Sequence, residues 1–163
     1  TLGGLFLLWG RTLMIADYML GRIILFIFVS VCAYEDFKYK SIDVRVYVLM
    51  YICEFLFYMY LIALSKKLAL MDIALGASIG IALFAASKLG LNIGEGDAHF
   101  FIIMGLGLGF IANIKILICT LLLISVVALY IITIDFINRV SSKNKVLPML
   151  VFAFPVAGFI LFS

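Results

Sequence analysis

Two aspartates stand where short polar turns meet long apolar runs. Asp36 follows an apolar stretch that ends at Tyr34, and Asp97 closes Gly94-Glu95-Gly96-Asp97 ahead of another apolar stretch. An acid at such a boundary must be solvated, paired or used, because a lone charge in hydrocarbon is costly. Two carboxyls facing each other would share one proton, since like charges in contact do not both ionise. The ionised member can take a proton from water while the protonated one polarises a carbonyl, which is the chemistry of aspartic proteolysis. The pair titrates as a unit, so spacing alone assigns neither role. Each residue also has a plain structural reading. Asp97 sits where the N-cap of the following helix would be, and its flanking glycines would let an extended backbone approach. Asp36 is one acid in a charged loop, where Glu35 and Asp43 compete with it and Lys38 and Lys40 would solvate it. No serine, cysteine or lysine has an evident base partner. The one histidine, His99, cannot build a metal site by itself, so no metal or other cofactor is expected.

Positioning these carboxyls falls to helices in a bilayer. The 163 residues are 67% hydrophobic with a mean hydropathy of +1.30, whereas an ordinary soluble domain is about half apolar. The apolar runs are long and near-continuous, unlike the alternating segments of a barrel. The expected fold is an all-α, polytopic membrane protein with six transmembrane helices. An N-terminal interfacial or peripheral segment precedes them over residues 1–21, with Trp9 at headgroup depth. A cleaved or truncated leader is the alternative reading of that segment. The net charge of +3 is spread over short loops and gives no nucleic-acid signal. Cys32, Cys53 and Cys119 lie inside apolar runs and read as small hydrophobes.

The spans fall at about 22–34, 44–64, 68–89, 97–113, 116–136 and 146–163, and residues 22–163 form one domain. Pro148 sits in the first turn of the last span, and Pro155 should kink it. Two spans separate the end of the first from the start of the fourth, so Asp36 and Asp97 emerge on one face. Loops on that face carry Lys38, Lys40, Arg45, Lys88, Arg139, Lys143 and Lys145; the other side carries Lys66, Lys67, Lys115, Arg11 and Arg22. Seven against five marks the face of the two aspartates as cytoplasmic, in a cell membrane crossed several times.

The stretch Asp36-Phe37-Lys38-Tyr39-Lys40-Ser41-Ile42-Asp43 resembles the basic motif after the first span of type IV prepilin and preflagellin peptidases. Gly94-Glu95-Gly96-Asp97-Ala98-His99 resembles their Gly-x-Gly-Asp motif, and Lys145 to Ala153, with Pro148 inside it, resembles the start of their last span. The similarity covers about residues 22–163 in motif order. The resemblance implies an aspartic endopeptidase with Asp36 and Asp97 as the catalytic pair. It also implies that Gly94 and Gly96 shape the second motif, with Lys38 and Lys40 at the basic positions after the first aspartate. The substrate it implies is a pilin-like or flagellin-like precursor, cut after a short basic leader at the cytoplasmic face. Glu35, Asp43 and Glu95 are candidates to read that leader's charge. No cysteine-rich insertion lies between the early spans, so the chain resembles the peptidase-only members.

A different class also fits the carboxylates: a small transporter or channel that binds protons or cations. Glu54 lies mid-span, to be paired within the bundle or protonated. Asp72 reads as solvated near the far interface, and Asp135 as a partner of Arg139 one turn on. Gly76 with Gly80, and Gly105 with Gly109, are small-residue pairs that let helices approach, for packing within the bundle rather than for a homo-oligomer.

Overall fold

In the computed structural model the described residues are 18–64, 68, 70–91, 94–138 and 147–163. They form six α-helices: α1 Met19–Tyr39, α2 Val44–Ala63, α3 Leu70–Lys88, α4 Glu95–Leu108, α5 Phe110–Ile137 and α6 Met149–Phe162. By length and apolar composition α2, α3 and α5 can each cross a membrane. Their outward faces carry exposed leucine, isoleucine, valine and phenylalanine, including Leu49, Leu56, Leu122 and Leu129. The expected interfacial helix falls almost wholly outside the described residues, as does Arg139, the expected partner of Asp135. Residues 19–21 belong to α1, which therefore starts earlier than the span read from the sequence.

The fourth helix departs most from expectation. The sequence predicts a span reaching about residue 113, yet α4 stops at Leu108 after 14 residues. Fourteen residues rise about 21 Å, short of a hydrocarbon core of roughly 30 Å. Gly109 takes φ 80°, where a side chain would be strained, and turns the chain into α5. Two side chains secure this corner. Asp72 of α3 accepts the Phe110 amide at 3.1 Å, and Asn113 donates to the carbonyls of Gly76 at 2.9 Å and Phe101 at 2.8 Å. Asp72 is therefore half-buried and caps α5, rather than being freely solvated as its sequence position suggested. The first amides of α5 have no partner in their own helix, and a carboxylate from a neighbour supplies one.

Helix α4 is the inner element. Ala98, Phe100, Phe101, Ile103 and Met104 are fully buried. It packs most extensively on α3, and the glycines explain how. A Cβ at Gly76 or at Gly105 would overlap the other helix's backbone, and one at Gly80 would strike Ile102 and Ala98. The small-residue pairs thus work within the bundle, as expected. Helices α1 and α6 form a second pair, joined by Phe26 against Phe154 and Phe162 at ring separations of 5.6 and 5.4 Å. Phe28 of α1 ties the two pairs together, stacking on Phe100 of α4 at 5.8 Å. Helix α2 hangs on α4 by tyrosine tips: Tyr47, Tyr51 and Tyr58 reach the Gly96 carbonyl, His99 and the Leu106 carbonyl. Between Tyr51 and Tyr58 lies Glu54, 3% exposed, and neither of its oxygens has a hydrogen-bond partner.

Candidate functional site

Asp36 sits in the last turn of α1, with its backbone carbonyl closing the helix on Lys40. A carboxylate at the negative end of a helix dipole is disfavoured. The start of α6 offsets this. Pro148 precedes α6 and supplies no cap, and the Leu150 amide donates to Asp36 Oδ2 at 2.7 Å, with Val151 adding a second amide. Asp36 thus caps the last helix from the first, across 114 residues of chain. The Pro-containing start of α6 is brought to the first aspartate by this cap.

Asp97 occupies the third position of α4. The N-cap is Gly94, so Asp97 is not the cap that its sequence position suggested. It reaches back instead to the Gly94 amide, as the acid of a capping box does. The motif's glycines leave room for this arrangement. A Cβ at Gly94 would lie 2.9 Å from Asp97 Oδ2, and one at Gly96 would lie 2.9 Å from the Tyr47 hydroxyl. Tyr47 donates to the Gly96 carbonyl at 2.9 Å and is wedged between Phe28 and His99. Gly94 and Gly96 therefore clear space for the protein's own carboxyl and phenol, besides any substrate.

Both aspartates line one cavity of about 630 Å³, open to the polar end of the bundle. Its wall takes Tyr47, Tyr51 and Val48 from α2, Gly94, Glu95, Gly96 and His99 from the start of α4, Lys40, Ser41 and Ile42 from the loop after α1, and Leu147, Pro148 and Met149 ahead of α6. Both carboxyls stand at helix ends, outside the apolar runs. Burial and then the charge of Asp36 push Asp97 up to about 6, against the pull of the Gly94 amide. Burial also raises Asp36, while the Leu150 and Val151 amides and Lys40 pull it back.

Of the other residues read from the sequence, Gly94, Glu95, Gly96 and Lys40 line this cavity, and Glu35, Lys38 and Asp43 do not. Glu35 accepts the Asp43 amide at 2.9 Å, and Asp43 caps α2 through the Arg45 amide. Lys38 lies over the rings of Tyr34 and Tyr39. Glu95 pairs with Lys88 at the end of α3. His99, two residues after Asp97, lines the same cavity, with Nδ1 3.2 Å from the Tyr51 hydroxyl. Tyr47 and Tyr51 were missed. Their signal is a stripe of tyrosines at positions 47, 51 and 58 along one face of an apolar helix. A larger cavity of about 760 Å³, walled by Asp72, Lys115, Pro155 and Phe159, lies at the other end of the bundle from the two aspartates.

No curated protein and no solved structure matches the chain. The type IV leader peptidase family matches it over residues 23–134, a stretch that includes both aspartates and ends within α5. A match over more than half of the sequence shows that this protein belongs to the type IV leader peptidase family.

Proposed function

We propose that the protein is a membrane-embedded aspartic endopeptidase that removes the short basic leader of prepilin- or preflagellin-like precursors. Residues 22–163 form the six-helix catalytic domain, with the cavity on the cytoplasmic side. The observation that carries this reading is the meeting of Asp36 and Asp97 in one cavity at the polar end of the bundle. One carboxyl is ionised and takes a proton from a water lodged between them. The water oxygen adds to the scissile carbonyl, which the protonated carboxyl polarises. The C–N bond then breaks as a proton passes to the leaving nitrogen. The precursor's apolar helix stays in the bilayer beside Val44 and Val48 of α2, and its leader reaches the cavity mouth. There Glu95 is the acid outside the pair that lines the wall, and its exposed bond to Lys88 is one that a basic leader can exchange.

The test is cleavage of a pilin-like precursor by the full chain in lipid vesicles. Asp36→Asn and Asp97→Asn should each lower the rate by roughly 10² or more, the usual share of general acid–base catalysis, with helix content unchanged. Wild-type cleavage by either variant would overturn the two-aspartate reading. Proton or cation flux that depends on both aspartates, with no cleavage, would point to the transporter class.

A further inference from the structure

We infer that the pair is asymmetric before substrate arrives: Asp36 is the carboxylate held ionised by the start of α6, and Asp97 carries the shared proton. This rests on the two-aspartate reading and assigns the roles within it. The geometry separates the two carboxyls. Asp36 Oδ2 accepts the Leu150 amide at 2.7 Å, Val151 adds a second amide, and Lys40 lies nearby. Those amides stand at the positive end of the α6 dipole, where an anion is favoured. Asp97 has the single Gly94 amide, is more deeply enclosed, and faces the charge of Asp36. An acceptor that already holds two donors gains little from a proton. A carboxyl with one donor and an anionic neighbour gains much.

Among the described residues, the charged and titratable groups around the pair leave the difference in place. Cys32, Glu35 and Lys40 are on the same helix or loop as Asp36, and Tyr47 faces both aspartates from α2. Glu95 and His99 share the first turns of α4 with Asp97, Tyr51 stands across the cavity, and Lys88 is engaged by Glu95. The described part of α6 has no ionisable side chain, so it acts on Asp36 through backbone amides. In hydrolysis the ionised Asp36 then accepts the water's proton, and Asp97 donates its own to the carbonyl oxygen. Water's oxygen bonds to carbon; the C–N bond then breaks as the scissile nitrogen takes the proton that Asp36 accepted, and the hydroxyl that Asp97 protonated returns its proton to Asp97 as the carbonyl re-forms.

Two amides report the two carboxyls separately. The full chain in detergent micelles is titrated while the amide shifts of Leu150 and Gly94 are followed by NMR. The Gly94 amide should titrate near 6, and the Leu150 amide at distinctly lower pH. In Asp36→Asn the Gly94 step should move to lower pH, because a like charge has been removed. The assignment is overturned if Leu150 titrates at the higher pH, or if both amides follow one step with equal amplitude. The wild-type titration decides this even if the variant does not fold. Cleavage measured in parallel keeps the two ideas apart: an active Asp36→Asn enzyme refutes the peptidase chemistry, whereas a reversed titration order with both variants inactive refutes only the assignment.

Discussion

The contact between Gly96 and Tyr47 allows a prediction whose sign reverses with its background. In a helix interior, alanine is better than glycine by about 0.5–1 kcal/mol. Gly96 is the second residue of α4 and has no positive φ, so Gly96→Ala would gain up to that much if nothing stood in the way. The new Cβ, however, would lie 2.9 Å from the Tyr47 hydroxyl. The phenol is packed between Phe28 and His99 and is 5% exposed, so it cannot swing clear without leaving a rotamer well. Moving it forfeits the bond to the Gly96 carbonyl, worth about 0.5–1.5 kcal/mol, and an off-rotamer ring costs about 0.5–1.5 kcal/mol more. Gly96→Ala should therefore lower stability by about 1 kcal/mol. Tyr47→Phe alone removes the same bond and should cost about 1 kcal/mol. In the Tyr47→Phe background the oxygen is gone, and Gly96→Ala should be neutral or slightly stabilising. The double-mutant cycle then carries a coupling of about 1–2 kcal/mol. It is read by reversible unfolding in mixed micelles, with leader cleavage measured alongside. Cleavage should fall in Gly96→Ala and recover in part in the double variant, because Asp97 is the next residue. Additive stabilities would refute the argument that Gly96 is glycine to make room for this hydroxyl.

Three further outcomes follow from single contacts. Asp72→Ala removes the acceptor for the Phe110 amide; it should cost about 0.5–2 kcal/mol as other cap losses do and leave the cleavage rate unchanged at a permissive temperature. Glu54→Leu removes two buried oxygens that have no partner, so thermal unfolding should show unchanged or higher stability, by up to about 1–3 kcal/mol; a clear loss of stability would reveal a partner. The pH profile of kcat/KM should be bell-shaped, reporting the free enzyme. Its alkaline limb belongs to Asp97, whose protonated form is active below its raised value of about 6 and is lost as pH rises through it. Its acid limb belongs to Asp36, which must be ionised, and a limb that instead rises monotonically with pH would contradict this assignment.

Much of the architecture was legible because hydrocarbon restricts what a sequence can do. Long apolar runs broken by charged turns mark helices, and four-residue spacing of glycines marks the faces where Gly76 and Gly105 now meet. The end of α4 was not legible. Apolar character continues through Gly109 into α5, and only the positive φ of that residue separates them. The two aspartates stood out because they are acids at hydrophobic boundaries, and span counting put them on one face. Their immediate partners were hidden for a different reason. The amides of Leu150 and Val151 are backbone groups, and every non-proline residue has one, so no residue type advertises them. Glu35 and Asp43 illustrate the reverse case. Their acidity made them candidates for reading a basic leader, yet the loop after α1 uses Glu35 to hold the Asp43 amide and Asp43 to cap α2.

The site is built from helix ends, and this is what lets so apolar a chain hold two acids in one cavity. Mid-helix, every backbone amide is spent within its own helix, as around Glu54, whose carboxyl finds no donor. At the starts of α4 and α6 the amides are free, and each aspartate takes some of them. The two carboxyls belong to different packing units, however. Asp97 moves with the glycine-packed pair α3 and α4, and Asp36 with the phenylalanine-packed pair α1 and α6. The Phe28–Phe100 stack and the Tyr47 hydroxyl join these units beside the cavity. The aromatic contacts that join the two units thus lie a turn or two below the carboxyls, away from the loops that carry the motifs.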